Sequence, residues 1–284
     1  MLGLGSTIYH DHSKFLGQIS LALDGTGDYI DLGNLDTIMQ DDFTLCWWEK
    51  VSDATPGTYW HGVYSDGSGG HQCRFSSQNS LTHLMYYQAG SAGTSNRSTH
   101  YAYPWVGGSG NAEDVWRHYA IQVNKGGGDG GDVSMTFYIN GSVAVNGLAS
   151  DATSDNDGES DSNMASYDAN EHDEGSYPGH FYLGCAHQNT STTSTAANCM
   201  IGNIADIAIY GEVLAANSIA DIYANPKLDL RRNFGNYTEA AKLVRYYRFT
   251  EGSGTTLNDE MGNYNATVFN ATWDSTRHPT VSIT

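Results

Sequence analysis

The chain has 284 residues and a formal net charge of -19 at pH 7, from 13 Lys and Arg against 32 Asp and Glu. That balance excludes phosphate-backbone binding, which needs clustered cations, and adhesion to anionic membrane, so neither nucleic acid nor membrane is expected as a partner. Hydrophobic residues at 39%, with 33 Gly, 5 Pro and 19 Tyr, exclude global disorder and suit strands joined by tight turns.

Residues 1–16 read as a polar, Gly-containing arm. The start, MLGLGSTIYHDHSKF, lacks a basic leader and a long apolar run, so no secretory signal is expected; synthesis in a cytosol is, with the product left there or assembled into something released by lysis. His10 and His12 in this arm are read as solvent-exposed rather than metal-binding. From Ile19 the pattern changes to short strands. SLALDGTGDYIDLG reads strand, Gly turn, strand. In DDFTLCWWEKV, Thr44, Cys46 and Trp48 share one face and Phe43, Leu45 and Trp47 the other, so the strand is expected to be covered on both sides. TYWHGVYSD, QCRFSS and LTHLMYYQAG continue as strands split by Gly and Ser turns. VWRHYAIQVN and VSMTFYINGSVAV read as a hairpin with a long connection, followed by a tight Asn140-Gly141 turn.

Between Asp151 and Glu174 stand six Asp and three Glu with no Lys or Arg, the pattern of a solvated, self-repelling loop. DNDGES opens like a calcium loop, but the closing position that needs Glu holds Met164. HFYLGCA and MIGNIADIAIY are strands. EVLAANSIADIYANP is the helical candidate, with Leu214, Ile219 and Ile222 near helical spacing and Pro226 past its end. The closing residues, 227–284, combine a short helical candidate around YTEAAKLV with an apparent strand pair in LVRYYRFTEGSGTTLNDEMGNYNATV. Cys185 and Cys199 flank the polar loop AHQNTSTTSTAAN and are placed to face each other across it, although a cytosolic origin makes reduced thiols the default.

Many short strands, Gly and Asn turns and one short helix predict an all-β, two-sheet antiparallel jelly-roll sandwich with a C-terminal β extension. The expected organisation is an N-terminal arm over 1–16, a jelly roll over 17–226 and an extension over 227–284.

Five segments in order carry a resemblance: LALDGTGDYIDLG, DDFTLCWWEKV with Trp48, WRHYAIQVN with Trp116 and His118, FYINGSVA, and GNIADIAIYGEVLAANSIADIY. Together they resemble a laminin-G-like, concanavalin A-like lectin domain of the pentraxin type, over roughly Ser20 to Tyr223. The resemblance implies Trp48 and Trp116 as core residues. The chain departs from the pattern where many such domains hold calcium: Ala205 replaces the first of an acidic pair and leaves Asp206, and CAHQN carries no carboxylate. The Cys that pentraxins bridge to the position of Cys46 is here Ala120. No metal or cofactor is therefore assigned. The closing segment RYYRFTEGSGTTLNDEMGNYNATV is similar to the one that usually opens such a domain. A chain with this start and tail resembles virion structural proteins of marine bacteriophages.

The resemblance implies a non-enzymatic virion protein, a capsid decoration or fibre component, whose partners are other virion proteins and copies of itself. The first alternative is a carbohydrate-binding module for host surface glycans, and the residues proposed for it are Trp60, Tyr101, Tyr103 and Trp105, whose flat rings suit sugar C–H faces. Core or protein–protein contact is the competing reading of the same aromatics. The second alternative is a glycoside hydrolase, which needs two facing carboxylates. The nearest candidates, Glu171, Asp173 and Glu174, sit in the acidic stretch rather than on a strand, so no catalytic residue is assigned. Asn258, Asp259 and Glu260 read as a turn rather than a site.

Overall fold

The computed structural model describes residues 19–39, 41–52, 58–65, 72–78, 82–88, 97–102, 115–124, 134–143, 180–189, 194–197, 199–276 and 279. The 1–16 arm and the acidic 151–174 stretch lie outside these residues. In chain order the strands are β1 (Ser20–Asp24), β2 (Tyr29–Asn34), β3 (Phe43–Val51), β4 (Thr58–Ser65), β5 (Gln72–Gln78), β6 (Thr82–Gln88) and β7 (Arg97–Ala102). There follow β8 (Arg117–Asn124), β9 (Ser134–Ile139), β10 (Ser142–Val143), β11 (His180–Leu183), β12 (Ala186–Asn189), β13 (Ser194–Ala197) and β14 (Ile201–Tyr210). The last are β15 (Leu243–Tyr247), β16 (Thr256–Leu257), β17 (Ala266–Phe269) and β18 (Thr272–Asp274). A one-turn helix α1 (Asp36–Met39) follows β2, and α2 (Ala216–Ala224) occupies the predicted helical segment.

The strands make two layers, the jelly-roll sandwich expected from the sequence. The first is one sheet in the order β10-β9-β8-β3-β14-β1-β18, with β15 also paired to β14. The second is built from two sheets, β11-β2-β17-β16 and β13-β12-β4-β5-β6-β7. The chain passes directly from β11 to β12, which joins them. Every pairing is antiparallel except β12 with β4.

Side-chain alternation builds the core. Phe43, Leu45 and Trp47 of β3 face the interior with Ile121 of β8, Ile204 and Ile207 of β14, and Ile30 and Leu32 of β2. The opposite face of β3 is buried too, as the doubly apolar strand predicted. Cys46 joins Ala120, Ala208, Leu214, Ile219, Ile222, Tyr237 and Tyr246 in a second cluster beneath α2. Cys46 sits directly opposite Ala120 in the sheet register, is reduced, and burial pushes its thiol far above the ordinary range. Trp48 is 3% exposed and stacks on Tyr223 of α2 at 5.7 Å, whereas Trp116 is half-buried. The Asn140-Gly141 turn has φ of 51° and 75°, the left-handed pair that a two-residue hairpin demands.

Three expectations need correction. First, AHQNTSTTSTAAN is not simply a loop: its flanks form the antiparallel pair β12–β13. Its Thr, Ser and Asn side chains hide the apolar alternation that marks a strand, and the parallel ladder to β4 supplies the backbone partners instead. Second, Cys185 and Cys199 are joined as a disulfide, with Cα atoms 4.1 Å apart, not reduced. The Met200 N–H donates to Gly184 O at 2.8 Å, which holds the two cysteines side by side at the base of that pair. Third, the closing segment is not one hairpin, and YTEAAKLV is not a helix beyond the single 3-10 turn Ala240–Lys242. β15 pairs with β14 in the first layer, while β16 and β17 pair with each other and β17 with β2 in the second. Tyr246 goes to the outer cluster and Tyr247 to the inner one, so one strand serves both cores.

The acidic turn in this segment is a fixed joint. The Asp259 carboxylate, 6% exposed, accepts four backbone N–H groups: Tyr246 at 2.8 Å, Met261 at 3.0 Å, Asn263 at 2.9 Å and Tyr264 at 3.0 Å. Its own N–H donates to Asn265 Oδ1 at 3.0 Å. Arg245 reaches across the layers, donating to Leu32 O and, at 2.7 Å, to Asn34 O of β2, with its guanidinium over the Tyr264 ring.

Candidate functional site

The six-stranded sheet of the second layer presents one face to the core and one away from it. His61 of β4 marks the inner face, because its imidazole is fully buried against Glu49 of β3. Glu49 Oε2 accepts from Trp47 Nε1 at 2.9 Å and lies 2.9 Å from His61 Nε2. The Gly184 N–H donates to His61 Nδ1 at 2.9 Å. Nδ1 is therefore the acceptor and Nε2 carries the proton that goes to the carboxylate, so a neutral imidazole bridges β4 to β3 and to the turn after β11. A buried carboxylate with several donors is the arrangement that low-dielectric surroundings require. Its consequence here is positional: β4 is clamped to the first layer in one register.

Register then assigns the opposite face. Successive residues of a strand alternate between faces. His61, Phe75, Met85 and His100 form one cross-strand row, on the inner face. The adjacent row, on the other face, is Trp60, Ser76, Leu84 and Tyr101. Next on that face comes Gly62, Arg74, Tyr86 and Thr99, then Gln72, Gln88 and Arg97. Tyr64 is on this face as well, paired with Gln188 of β12.

Two of the four sequence-predicted aromatics, Trp60 and Tyr101, are thus brought into one row although they are far apart in the chain. Tyr103 and Trp105 lie outside the described residues, as do Glu171, Asp173 and Glu174. Sequence reasoning missed Tyr64, Arg74, Tyr86 and Arg97. The signal was present in the alternation of YWHGVYS, QCRFSSQ and HLMYYQ, once His61 is known to face inward.

A second feature lies on the far side of the first layer, beneath α2. A cavity of about 20 Å³ is lined by Trp48, His118, Asp206, Ile222, Leu230 and Tyr246 among others. That is room for one water and too small for a sugar ring. Asp206, at φ 41°, stands where β14 slips register against β3 between Ala205 and Ala208. Burial pushes its carboxyl up to about 8, against the opposing pull of the Arg248 guanidinium. Burial holds the His118 imidazole down to about 3, and His118 Nδ1 makes no hydrogen bond. Among the described residues, no group of three or more His, Cys, Asp or Glu side chains is arranged to hold a metal ion.

These two groups set opposed pH dependences. Folded Asp206 keeps a proton that the unfolded chain releases near pH 4, so its contribution falls as pH rises from about 4 to about 8. Folded His118 refuses a proton that the unfolded chain binds below about 6.5, so its contribution is lost as pH falls toward about 3. The slopes oppose between about pH 4 and 6.5, and above that Asp206 acts alone. Asp206→Asn is expected to remove a decline of up to about 1.4 kcal/mol per pH unit between pH 6.5 and 8. Urea midpoints of both proteins across that range measure it, and parallel curves would show that Asp206 does not titrate there.

No protein-family model matches the chain, and no curated protein matches it. Solved structures do resemble it. A candidate carbohydrate binding protein from Bacteroides ovatus aligns with 90% of this chain at 14% identity and a TM-score of 0.53, and the chain spans 59% of that protein's length. A heptameric SAP-like pentraxin from Limulus polyphemus aligns with 88% of this chain and 94% of its own, at 13% identity and a TM-score of 0.42. The CBM40 module of a Ruminococcus gnavus sialidase, solved with α2,6 sialyllactose, covers 72% of this chain and 96% of its own, at 14% identity and a TM-score of 0.44. At these identities the likeness is one of fold: a concanavalin-like jelly roll.

Proposed function

We propose that this chain is a non-catalytic carbohydrate-binding module, with the outer face of the β4–β7 sheet as its glycan platform. One observation carries the reading: the row that places Trp60 and Tyr101 on the same face, with Tyr64 and Tyr86 on that face beside it. Aromatic rings bury large area at little entropic cost and offer flat apolar faces next to polar groups. Trp60 and Tyr101 are three strand intervals apart, about 14 Å at the usual spacing. That is wider than one sugar ring, so the ligand is an oligosaccharide laid across the strands.

The same strands argue against hydrolysis at this face. Cleavage needs a pair of carboxylates flanking the scissile bond, and β4, β5, β6 and β7 contain no Asp or Glu. The reading predicts that Trp60→Ala weakens oligosaccharide binding about tenfold or more, the loss of roughly 1.5 kcal/mol of aromatic contact. Titration calorimetry with a glycan selected from an array measures this. Circular dichroism is expected to stay unchanged, since Trp60 has the opposite register parity from the buried His61. Undiminished affinity in both Trp60→Ala and Tyr101→Ala would end the proposal, and release of new reducing ends would end its non-catalytic part.

We extend the proposal to setting: the module is displayed on a bacteriophage virion, as a decoration or appendage component assembled with other virion proteins. This rests on the resemblance read in the start MLGLGSTI and in the closing segment alone, since the solved structures that align with the chain bear on its fold and not on its setting. The Cys185–Cys199 bridge suits a surface that meets oxidising surroundings after release. Mass spectrometry of purified virions tests it.

A further inference from the structure

Acidic residues make up about one in nine of the whole chain, yet the strands of the six-stranded sheet carry none. They carry two guanidinium groups instead, Arg74 on β5 and Arg97 on β7. The register puts both on the outer face. Arg74 pairs with Tyr86, one row from Trp60, and Arg97 pairs with Gln88 in the row after that. Had either fallen one residue along its strand, it would share the row parity of His61.

We propose that the glycan this face takes is an acidic one, carrying carboxylate or sulfate groups held by Arg74 and Arg97 while its rings lie over Trp60 and Tyr101. The inference rests on the carbohydrate-binding reading above and names its substrate class. Arginine is suited to the task because its planar fork matches carboxylate and sulfate oxygens two at a time and stays charged at all working pH values. The backbone positions of Arg74 and Arg97 are about 12 Å apart, from two strand spacings and a two-residue offset. That spacing matches acidic groups on separate sugars of one chain better than two groups on one sugar. The surrounding charge explains why such a patch is notable. A molecule of net charge -19 repels anions at long range. At 0.1 M salt that repulsion is screened beyond about 10 Å, whereas contact pairs at the face persist. The sheet is thus kept free of carboxylates where an anion has to approach, while the rest of the chain stays acidic.

The test uses the full chain on an array of neutral, carboxylated and sulfated oligosaccharides, followed by titration of the best ligand. The retained glycans are expected to be acidic. Esterifying or removing the acid group lowers affinity at least tenfold, and so does the double change Arg74→Gln with Arg97→Gln, whose melting midpoint and circular dichroism match those of the parent. A neutral glycan bound as tightly as its acidic counterpart overturns the inference and leaves the carbohydrate reading standing, as does full affinity in the double variant. A folded parent that retains no glycan of any class overturns both.

Discussion

A chain ending at Asn225 is expected not to fold. The segment it would lose is not an appendage: Leu230, Tyr237, Leu243, Tyr246, Tyr247, Phe249, Leu257, Ala266 and Val268 are all buried. Even at the low end of about 1.5 kcal/mol per large apolar side chain, their burial contributes roughly 12 kcal/mol. Whole domains are stable by only about 5–15 kcal/mol. The loss also strips both layers at once, because β15 lines β14 in the first and β17 lines β2 in the second. Far-ultraviolet circular dichroism and a one-dimensional proton spectrum would report an unfolded or aggregated chain. A soluble truncated protein with a cooperative melt would show that the sandwich closes without its last strands.

The largest expected effect of a single substitution is at Asp259. Asp259→Ala leaves the four amides of Tyr246, Met261, Asn263 and Tyr264 without their shared acceptor. Stranding a buried donor costs about 1–3 kcal/mol, and bonds to a charged acceptor lie at the strong end. With some of the turn open to water, the expected loss is about 4 kcal/mol. Asp259→Asn is informative because it keeps the shape. Its amide nitrogen would point a donor at donors, so the variant is expected to lose nearly as much as the alanine. Urea unfolding of both measures the loss. A change below about 1 kcal/mol would mean that the turn relaxes and that its N–H groups find water.

Much of this architecture was legible in residue alternation. Phe43, Leu45 and Trp47 against Thr44, Cys46 and Trp48 announced a strand covered on both sides, and the two clusters meet on β3 as that pattern required. Asn140-Gly141 announced its turn, and Leu214, Ile219 and Ile222 their helix. Strands without such a signature stayed hidden: β7 in RSTHYA, and β12 and β13 in Ser- and Thr-rich sequence whose order comes from pairing rather than from an apolar face. The site was half visible for a related reason. Composition pointed to Trp60 and Tyr101, but which residues share a row depends on three successive registers, each set by long-range packing such as the His61–Glu49 contact. A one-residue slip in any of them would move Arg74 or Arg97 to the other face. The fourfold role of the Asp259 carboxylate was equally unreadable, since its donors come from Tyr246 on one side and from the turn on the other.

The pairing of β18 with β1 places Ser20 opposite Asp274, so the first strand of the sandwich begins beside the place where the last one stops. Polypeptide order and spatial order are therefore separable in this molecule. Spliced between those neighbours and opened after α2 instead, the same residues would trace the same two layers with the closing segment leading. The closing segment can take its place from the far end of the chain because the ladders to β1 and β2, not its position in the polypeptide, fix where it lies.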